Sequence, residues 1–306
     1  MVRDSLKQPS RLIRSRLDQR TGLVAIGVVG VGISLSSALW IGVTDAVQPI
    51  VSPSSATEAR LSAVTMASPT RVVNPSQSRP PEPPEATQWS SPLGQECADA
   101  DNNIKEKLNR LKAKLPDVRQ RVAIDSSNYG KRYHENPWQE PINPNPRVVV
   151  LHETSHSLSS AVNTFQTHHP HDADQVSYHT LISRNGEIVD VVDPLYRAFG
   201  AGYSAFLGEW AVTNPHLMGS VNNFALHLSL ETPRDGYTGA FTHSGYTAAQ
   251  YDALAVVLDD WMERFGIDAR AITTHAHVDL GGERGDPRSF EWDELQKRMT
   301  ALHRIC

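Results

Sequence analysis

Two histidines stand where runs of β-branched and aliphatic residues end. His152 follows the run 148–151, and His275 follows the run 271–274. A histidine at the end of a buried strand projects into the crevice where α/β sheets keep their sites. With Asp286 from a separate loop, the two imidazoles form a three-ligand set that leaves the fourth position of a zinc ion free for water. That arrangement suits a metal-assisted hydrolase.

His277 is the alternative to His275, because both lie close to the end of the same predicted strand. The strand runs directly into His275. In extended geometry His275 and His277 would share a face. We therefore expect His275 to be the ligand, with His277 as its rival.

Alternating and continuous apolar patterns predict the strands that position these residues. A strand is expected at 147–151, a hairpin at 178–190 with Asn185-Gly186 as its turn, and a strand at 271–274. The segment 224–230 alternates strictly, with apolar residues on one face and His227 and Ser229 on the other.

Helical spacing predicts three helices before and between these strands. They cover 102–115, about 158–167, and a third helix that starts with the capping-box pattern Thr247 to Gln250 and ends at Gly266. Strands interleaved with helices predict an α/β fold, with a central mixed β-sheet flanked by helices.

The N-terminal part of the 306-residue chain has a different composition. Residues 1–20 are basic, and residues 21–44 are uncharged, as in a transmembrane anchor or a cleaved signal. Residues 45–96 are rich in Pro and Ser and predict a disordered linker. The globular domain is then expected at 97–306. A net charge of −5 argues against a nucleic-acid partner.

The two cysteines, Cys97 and Cys306, lie at the two ends of the predicted domain. In an oxidising compartment a disulfide between them could close the domain end to end. Two unpaired thiols are the alternative.

Six short motifs in register resemble a known enzyme family. They are Val149-Val150-Leu151-His152; Ser177-Tyr178-His179 followed by Arg184-Asn185-Gly186-Glu187; Asn222-Asn223-Phe224-Ala225; Thr247-Ala248-Ala249-Gln250; Thr274-His275; and Asp286-Pro287 followed by Phe290-Glu291-Trp292. From about residue 147 to 293, the chain resembles the zinc-dependent N-acetylmuramoyl-L-alanine amidases. That superfamily is shared by phage lysozyme-type amidases, bacterial recycling amidases and animal peptidoglycan recognition proteins.

The resemblance implies a set of roles. His152, His275 and Asp286 would hold Zn²⁺. Tyr178 matches the catalytic tyrosine of the phage-type and recognition-protein branches, where it would orient or polarise the water or the carbonyl. Arg284 stands where recycling amidases carry a lysine, and we expect it to stabilise the oxyanion.

The chain also departs from the family pattern. Recycling amidases carry a glutamate where this chain has Ser229. Glu231, two positions along the strand, becomes a candidate base if the strand end curls toward the metal. Relatives often have a histidine near Gly200, and this chain has none between residues 197 and 202.

The function implied by the resemblance is hydrolysis of the amide bond between N-acetylmuramic acid and L-alanine in peptidoglycan. The expected partners are peptidoglycan or a muropeptide, and the membrane through the N-terminal helix. The domain is expected on the extracytoplasmic side of the cell membrane, or secreted. The alternative function is a non-catalytic peptidoglycan-binding module.

Overall fold

The computed structural model describes residues 79–86, 88–94, 100–282 and 284–305. All of them fall within one compact unit, Arg60–Cys306. The predicted membrane segment at 21–44, most of the predicted linker, and both cysteines lie outside the described residues. Among the described residues, no helix is both long enough and apolar enough to cross a bilayer.

A six-stranded mixed sheet forms the centre of the fold, so the predicted α/β class is confirmed. Its strand order is β1-β5-β4-β7-β3-β8, and the neighbours are parallel except for the antiparallel pair β4–β5. β2 and β6 form a separate antiparallel pair. The strands are β1 (Arg119–Arg121), β2 (Tyr129–Lys131), β3 (Val148–Glu153), β4 (Thr180–Ile182), β5 (Ile188–Asp190), β6 (Tyr196–Ala198), β7 (Ala225–Leu230) and β8 (Ile272–Thr274).

Helices cover both faces of the sheet. They are α1 (Asn102–Ala113), α2 (Leu115–Val118), α3 (Leu158–Gln166), α4 (Ala248–Phe265), α5 (His275–Val278) and α6 (Trp292–Ala301). The predicted capping box is present, because Thr247 accepts the Gln250 N–H and the Gln250 side chain accepts the Thr247 N–H. α4 ends at Gly266, which adopts the left-handed conformation that glycine tolerates.

Strand β7 has the two faces that its alternation predicted. Leu226, Leu228 and Leu230 belong to the main core together with α4 and α6. His227 and Ser229 point to the opposite face, and both are fully buried. The polar face of this strand is therefore part of the interior, and its polar atoms need partners within the protein.

The hairpin between β4 and β5 differs from the prediction in its turn. Ser183 N–H donates to Glu187 O, so three residues, 184–186, form the loop. Gly186 has a φ of 85°, as expected where a type I turn is followed by a left-handed residue. β4 begins at Thr180 rather than 178, and the His179 backbone N–H donates to His227 O just ahead of the paired residues.

The packed part of the chain reaches into the segment predicted as a linker. Leu93 is 2% exposed and belongs to the main core. The Trp89 Nε1–H donates to Arg270 O, and the Gly94 N–H donates to Gln296 Oε1. These contacts anchor residues 89–94 to the domain, ahead of the predicted boundary at 97.

Candidate active site

Three elements bring the predicted metal ligands together. His152 is the penultimate residue of β3, and His275 follows β8 directly as the first residue of α5. Asp286 lies in the loop between α5 and α6. That loop is fixed to both strand ends, because Asp286 O accepts the Ala276 N–H and Asp286 Oδ2 accepts the Glu153 N–H.

The ligand atoms of these three residues all lie within 4.8 Å of one another. The two Nδ1 atoms are 3.2 Å apart. Asp286 Oδ1 is 3.0 Å from His275 Nδ1, and Asp286 Oδ2 is 3.4 Å from His152 Nδ1. Both imidazoles are buried, and Asp286 is 17% exposed. The site is therefore a compact group of two buried nitrogens and a carboxylate that is partly exposed.

The electrostatics favour a neutral imidazole beside a carboxylate anion. Burial lowers the pKa of His152 to about 4, although the hydrogen bond to Asp286 acts in the opposite direction. Burial alone would raise the pKa of Asp286, but the imidazoles of His275 and His152 outweigh it and hold that pKa well below its ordinary value. A neutral nitrogen and an ionised carboxylate are the forms in which these side chains bind a metal.

His277 is directed away from this group. The prediction that His275 and His277 share a face is wrong, because the chain turns into the short helix α5 at His275. Residues two apart on a helix do not face the same way. The His277 ring instead packs on Trp89, with the ring centroids 4.2 Å apart.

A groove of about 260 Å³ opens beside the three ligands. Tyr178 and Arg284 both line it, together with His275 and Asp286. The Tyr178 ring stacks on His152, with a centroid distance of 4.5 Å and an interplanar angle of 29°. Burial, reinforced by the negative charge of Asp286, raises the pKa of the Tyr178 phenol above its ordinary value. Tyr178 therefore keeps its proton at neutral pH and can donate a hydrogen bond.

Glu231 is not among the residues that line the groove. Its N–H donates to Ile182 O, which continues the pairing of β7 with β4, so the strand end does not curl toward the metal ligands. Its two carboxylate oxygens accept the N–H groups of Leu158 and Arg184. Glu231 thus holds the start of α3 and the hairpin loop.

Glu153 is a buried groove residue that the sequence patterns did not indicate. Its carboxylate accepts hydrogen bonds from His243 Nε2 at 2.9 Å and from the Tyr246 hydroxyl, and it forms an ion pair with Arg288. Arg288 also donates to Ala240 O and Gly236 O. Glu153 therefore ties the residue after His152 to the loops on the other side of the groove. An acidic residue directly after the strand histidine was the available signal.

Another buried histidine, His227, contacts His152. His227 Nδ1 lies 2.9 Å from His152 Nε2, and the His227 ring is fully buried. His179 stacks on His227 with an interplanar angle of 5°. Burial lowers the pKa of His227 well below its ordinary value, so this ring is neutral. The polar face of the alternating strand was the signal for it.

One known protein family matches the part of the chain that contains these residues. Residues 142–289 match the model of the family described as N-acetylmuramoyl-L-alanine amidase. The described metal-ligand group and groove lie within that range. Over this range the chain is similar to that family. The recognition made from the sequence motifs is confirmed.

A curated relative has a related description. The chain is 31% identical over 126 residues to the 1,6-anhydro-N-acetylmuramyl-L-alanine amidase AmpD of Citrobacter freundii. That alignment covers 41% of this chain and 58% of the relative's length.

Two solved structures are similar to this chain at lower sequence identity. A crystal structure of a selenomethionine AmpD derivative shares 28% identity with a TM-score of 0.44, over 58% of this chain and 93% of that one. The amidase AmiD of E. coli, solved in complex with anhydro-N-acetylmuramic acid-L-Ala-D-γ-Glu-L-Lys, shares 23% identity with a TM-score of 0.42, over 51% of this chain and 58% of that one.

Proposed function

We propose that this chain is a zinc-dependent amidase that hydrolyses the bond between N-acetylmuramic acid and L-alanine in peptidoglycan. The observation that carries the proposal is the convergence of His152, His275 and Asp286 beside a groove, within the residues that match the amidase family. The name of the curated relative supports the same bond.

The donor types and their spacing fit a zinc site. Bonds of about 2.0–2.1 Å to nitrogen and oxygen separate neighbouring tetrahedral ligand atoms by roughly 3.3 Å. The two Nδ1 atoms are 3.2 Å apart, and Asp286 Oδ1 is 3.0 Å from His275 Nδ1; the 3.4 Å separation from His152 Nδ1 ends on the other oxygen of the same carboxylate. When bound, zinc supplies a Lewis acid and lowers the pKa of a bound water toward neutrality.

Tyr178 and Arg284 supply the polar groups that the reaction needs from the protein. The phenol of Tyr178 is protonated, so it acts as a hydrogen-bond donor to the substrate carbonyl rather than as a base. The guanidinium of Arg284 is permanently charged and lines the same groove. Negative charge that develops on the carbonyl oxygen would be stabilised by both groups.

The test is mass spectrometry of the products from purified sacculi and from an anhydro-muropeptide. We expect new L-alanine amino termini, loss of product after chelation, and recovery when zinc is added back. Asp286→Asn should abolish release, whereas Asp268→Asn, an exposed carboxylate away from the groove, should leave it intact. If the zinc-loaded protein releases no L-alanine amino termini from either substrate, the proposal is wrong.

The second candidate is a peptidoglycan-binding module without turnover. Ser229 favours it, because recycling amidases carry a glutamate at that position. The Ser229 hydroxyl is buried without a hydrogen-bond partner in the described part of the chain. Binding to sacculi without any release of amino termini would support this candidate.

We also propose that residues 21–44 export the domain and hold it at the membrane. The support is the uncharged stretch and the basic residues before it. The full chain should sediment with membranes, and a variant lacking 21–44 should not. Recovery of both proteins in the soluble fraction would contradict the proposal.

A further inference from the structure

The ring of His227 contacts His152 through the ring nitrogen that does not face Asp286. We infer that His227 is a positioning residue that fixes the tautomer and orientation of His152, and that Gly200 provides the space it needs. The inference rests on the proposed function, because it assumes that His152 binds a metal.

The contacts of His152 determine which of its ring nitrogens carries the proton. Its Nδ1 faces His275 Nδ1 and Asp286, so this nitrogen must keep its lone pair to bind a metal. A neutral imidazole then carries its proton on Nε2. His152 Nε2 is 2.9 Å from His227 Nδ1, so the N–H of His152 donates to His227. Metal-binding histidines commonly donate this second N–H to a carboxylate, a carbonyl or water; here the acceptor is another imidazole.

The environment of His227 Nε2 indicates that this ring has a role beyond packing. If Nδ1 accepts from His152, the proton of His227 is on Nε2. That atom is buried and has no hydrogen-bond partner among the described residues. A buried donor without an acceptor destabilises the folded state, and an aliphatic side chain would avoid this cost. The acceptor at Nδ1 is therefore the feature of the His227 side chain that the site uses.

The His227 ring is held in place by its neighbours. The His227 backbone N–H donates to His179 Nδ1 at 2.9 Å, and the two rings are stacked almost parallel. On another side lies Gly200, where an added Cβ would be 2.4 Å from His227 Nδ1 and 2.5 Å from its Cγ. The φ of Gly200 is not in the left-handed region, so the glycine is required by space rather than by backbone conformation. Any side chain at position 200 would displace the acceptor that faces His152.

Zinc dissociation constants of four variants test the inference. His227→Leu keeps an apolar volume but removes the acceptor, and we expect it to weaken zinc binding about 10–100-fold. His227→Asn retains a carbonyl oxygen close to the Nδ1 position and should bind within a few-fold of the wild type. Gly200→Ala should weaken binding although His227 is present. Val256→Ala, a cavity variant in α4, is the control for loss of core packing and should not change zinc affinity.

A second readout reports the contact directly. In the zinc-loaded wild type, NMR of the His152 Nε2 proton should show the downfield shift of a hydrogen bond, and His227→Leu should remove that shift. A purely structural role would lower the melting temperature of His227→Leu but leave the zinc affinity unchanged.

The outcomes separate this inference from the proposed function. If the wild type binds zinc but His227→Leu and Gly200→Ala bind it within two-fold of the wild type, the positioning role is wrong. If the His152 Nε2 proton of the zinc-loaded wild type shows no hydrogen bond, the inference also fails. If the wild type binds no zinc at all, the proposed function fails, whereas failure of the positioning role alone leaves the zinc affinity of the wild type intact.

Discussion

Acid should destabilise the metal-free protein because His179, a buried histidine stacked on His227, is neutral in the folded state. His179 is fully buried. Its Nδ1 accepts the His227 backbone N–H, and its Nε2 is 3.2 Å from Tyr196 O. Both ring nitrogens therefore have hydrogen-bond partners in the neutral form. Burial lowers the pKa of His179 to about 3. Protonation of His179 Nδ1 would break its hydrogen bond from the His227 backbone N–H.

The sign and size of the effect follow from this pKa. The folded value lies below the unfolded value of roughly 6.5, so the unfolded chain takes up the proton first as the pH falls. The stability that the neutral ring contributes is fully present above pH 6.5 and is lost as the pH falls toward 3. Between pH 7.5 and 5.0 the loss from this one residue is about 2 kcal/mol. The figure hardly changes while the folded pKa stays below 4, because the folded ring is then neutral throughout this range.

Urea unfolding in the presence of a chelator measures this loss. His179→Asn keeps an acceptor for the His227 N–H and removes the titrating group, so it should lose about 2 kcal/mol less than the wild type between the two pH values. Val256→Ala should be less stable than the wild type at both pH values and show the wild-type pH dependence. If the wild type and His179→Asn lose the same free energy, the fold does not hold His179 neutral, and the argument is refuted.

Three further predictions concern the metal, the reaction and the fold. His275→Ala should abolish zinc binding in a metal titration while His277→Ala retains it; the opposite result would reassign the ligand. Tyr178→Phe keeps the stack on His152, so zinc affinity should persist while kcat falls about 10²–10³-fold; an unchanged rate would remove the phenol from the mechanism. Thr247→Ala should lower the free energy of unfolding by about 1 kcal/mol, because Gln250 N–H loses its acceptor; urea denaturation without such a loss would mean that the cap contributes nothing.

The elements that carry the site were predictable from local signals. The period of two in 224–230 identified β7 and its apolar face, because burying one side of a strand imposes that period. The start and end of α4 followed from a cap and a glycine, whose effects act within one turn. The places of His152 and His275 could be predicted because each lies at the end of an apolar strand.

The polar contacts around the ligands could not be predicted in the same way. His152 and His227 are 75 residues apart, and whether their nitrogens meet depends on the register of β3 against β7. The same holds for Glu153 and Arg288, which are 135 residues apart. Residue types and periodicity indicate which face a side chain occupies, but not which donor reaches which acceptor across that face.

These long-range contacts explain how the metal-ligand group keeps its geometry. His152 is held from behind by His227, and the next residue, Glu153, is held by a histidine, a tyrosine and an arginine. Asp286 is held by backbone N–H groups of Glu153 and Ala276, which adjoin the two histidine ligands. Each of these contacts restricts His152, the residue next to it, or Asp286, and Asp286 O also binds the start of α5, where His275 lies. The close approach of the two imidazoles and the carboxylate is therefore supported by the protein's own hydrogen bonds.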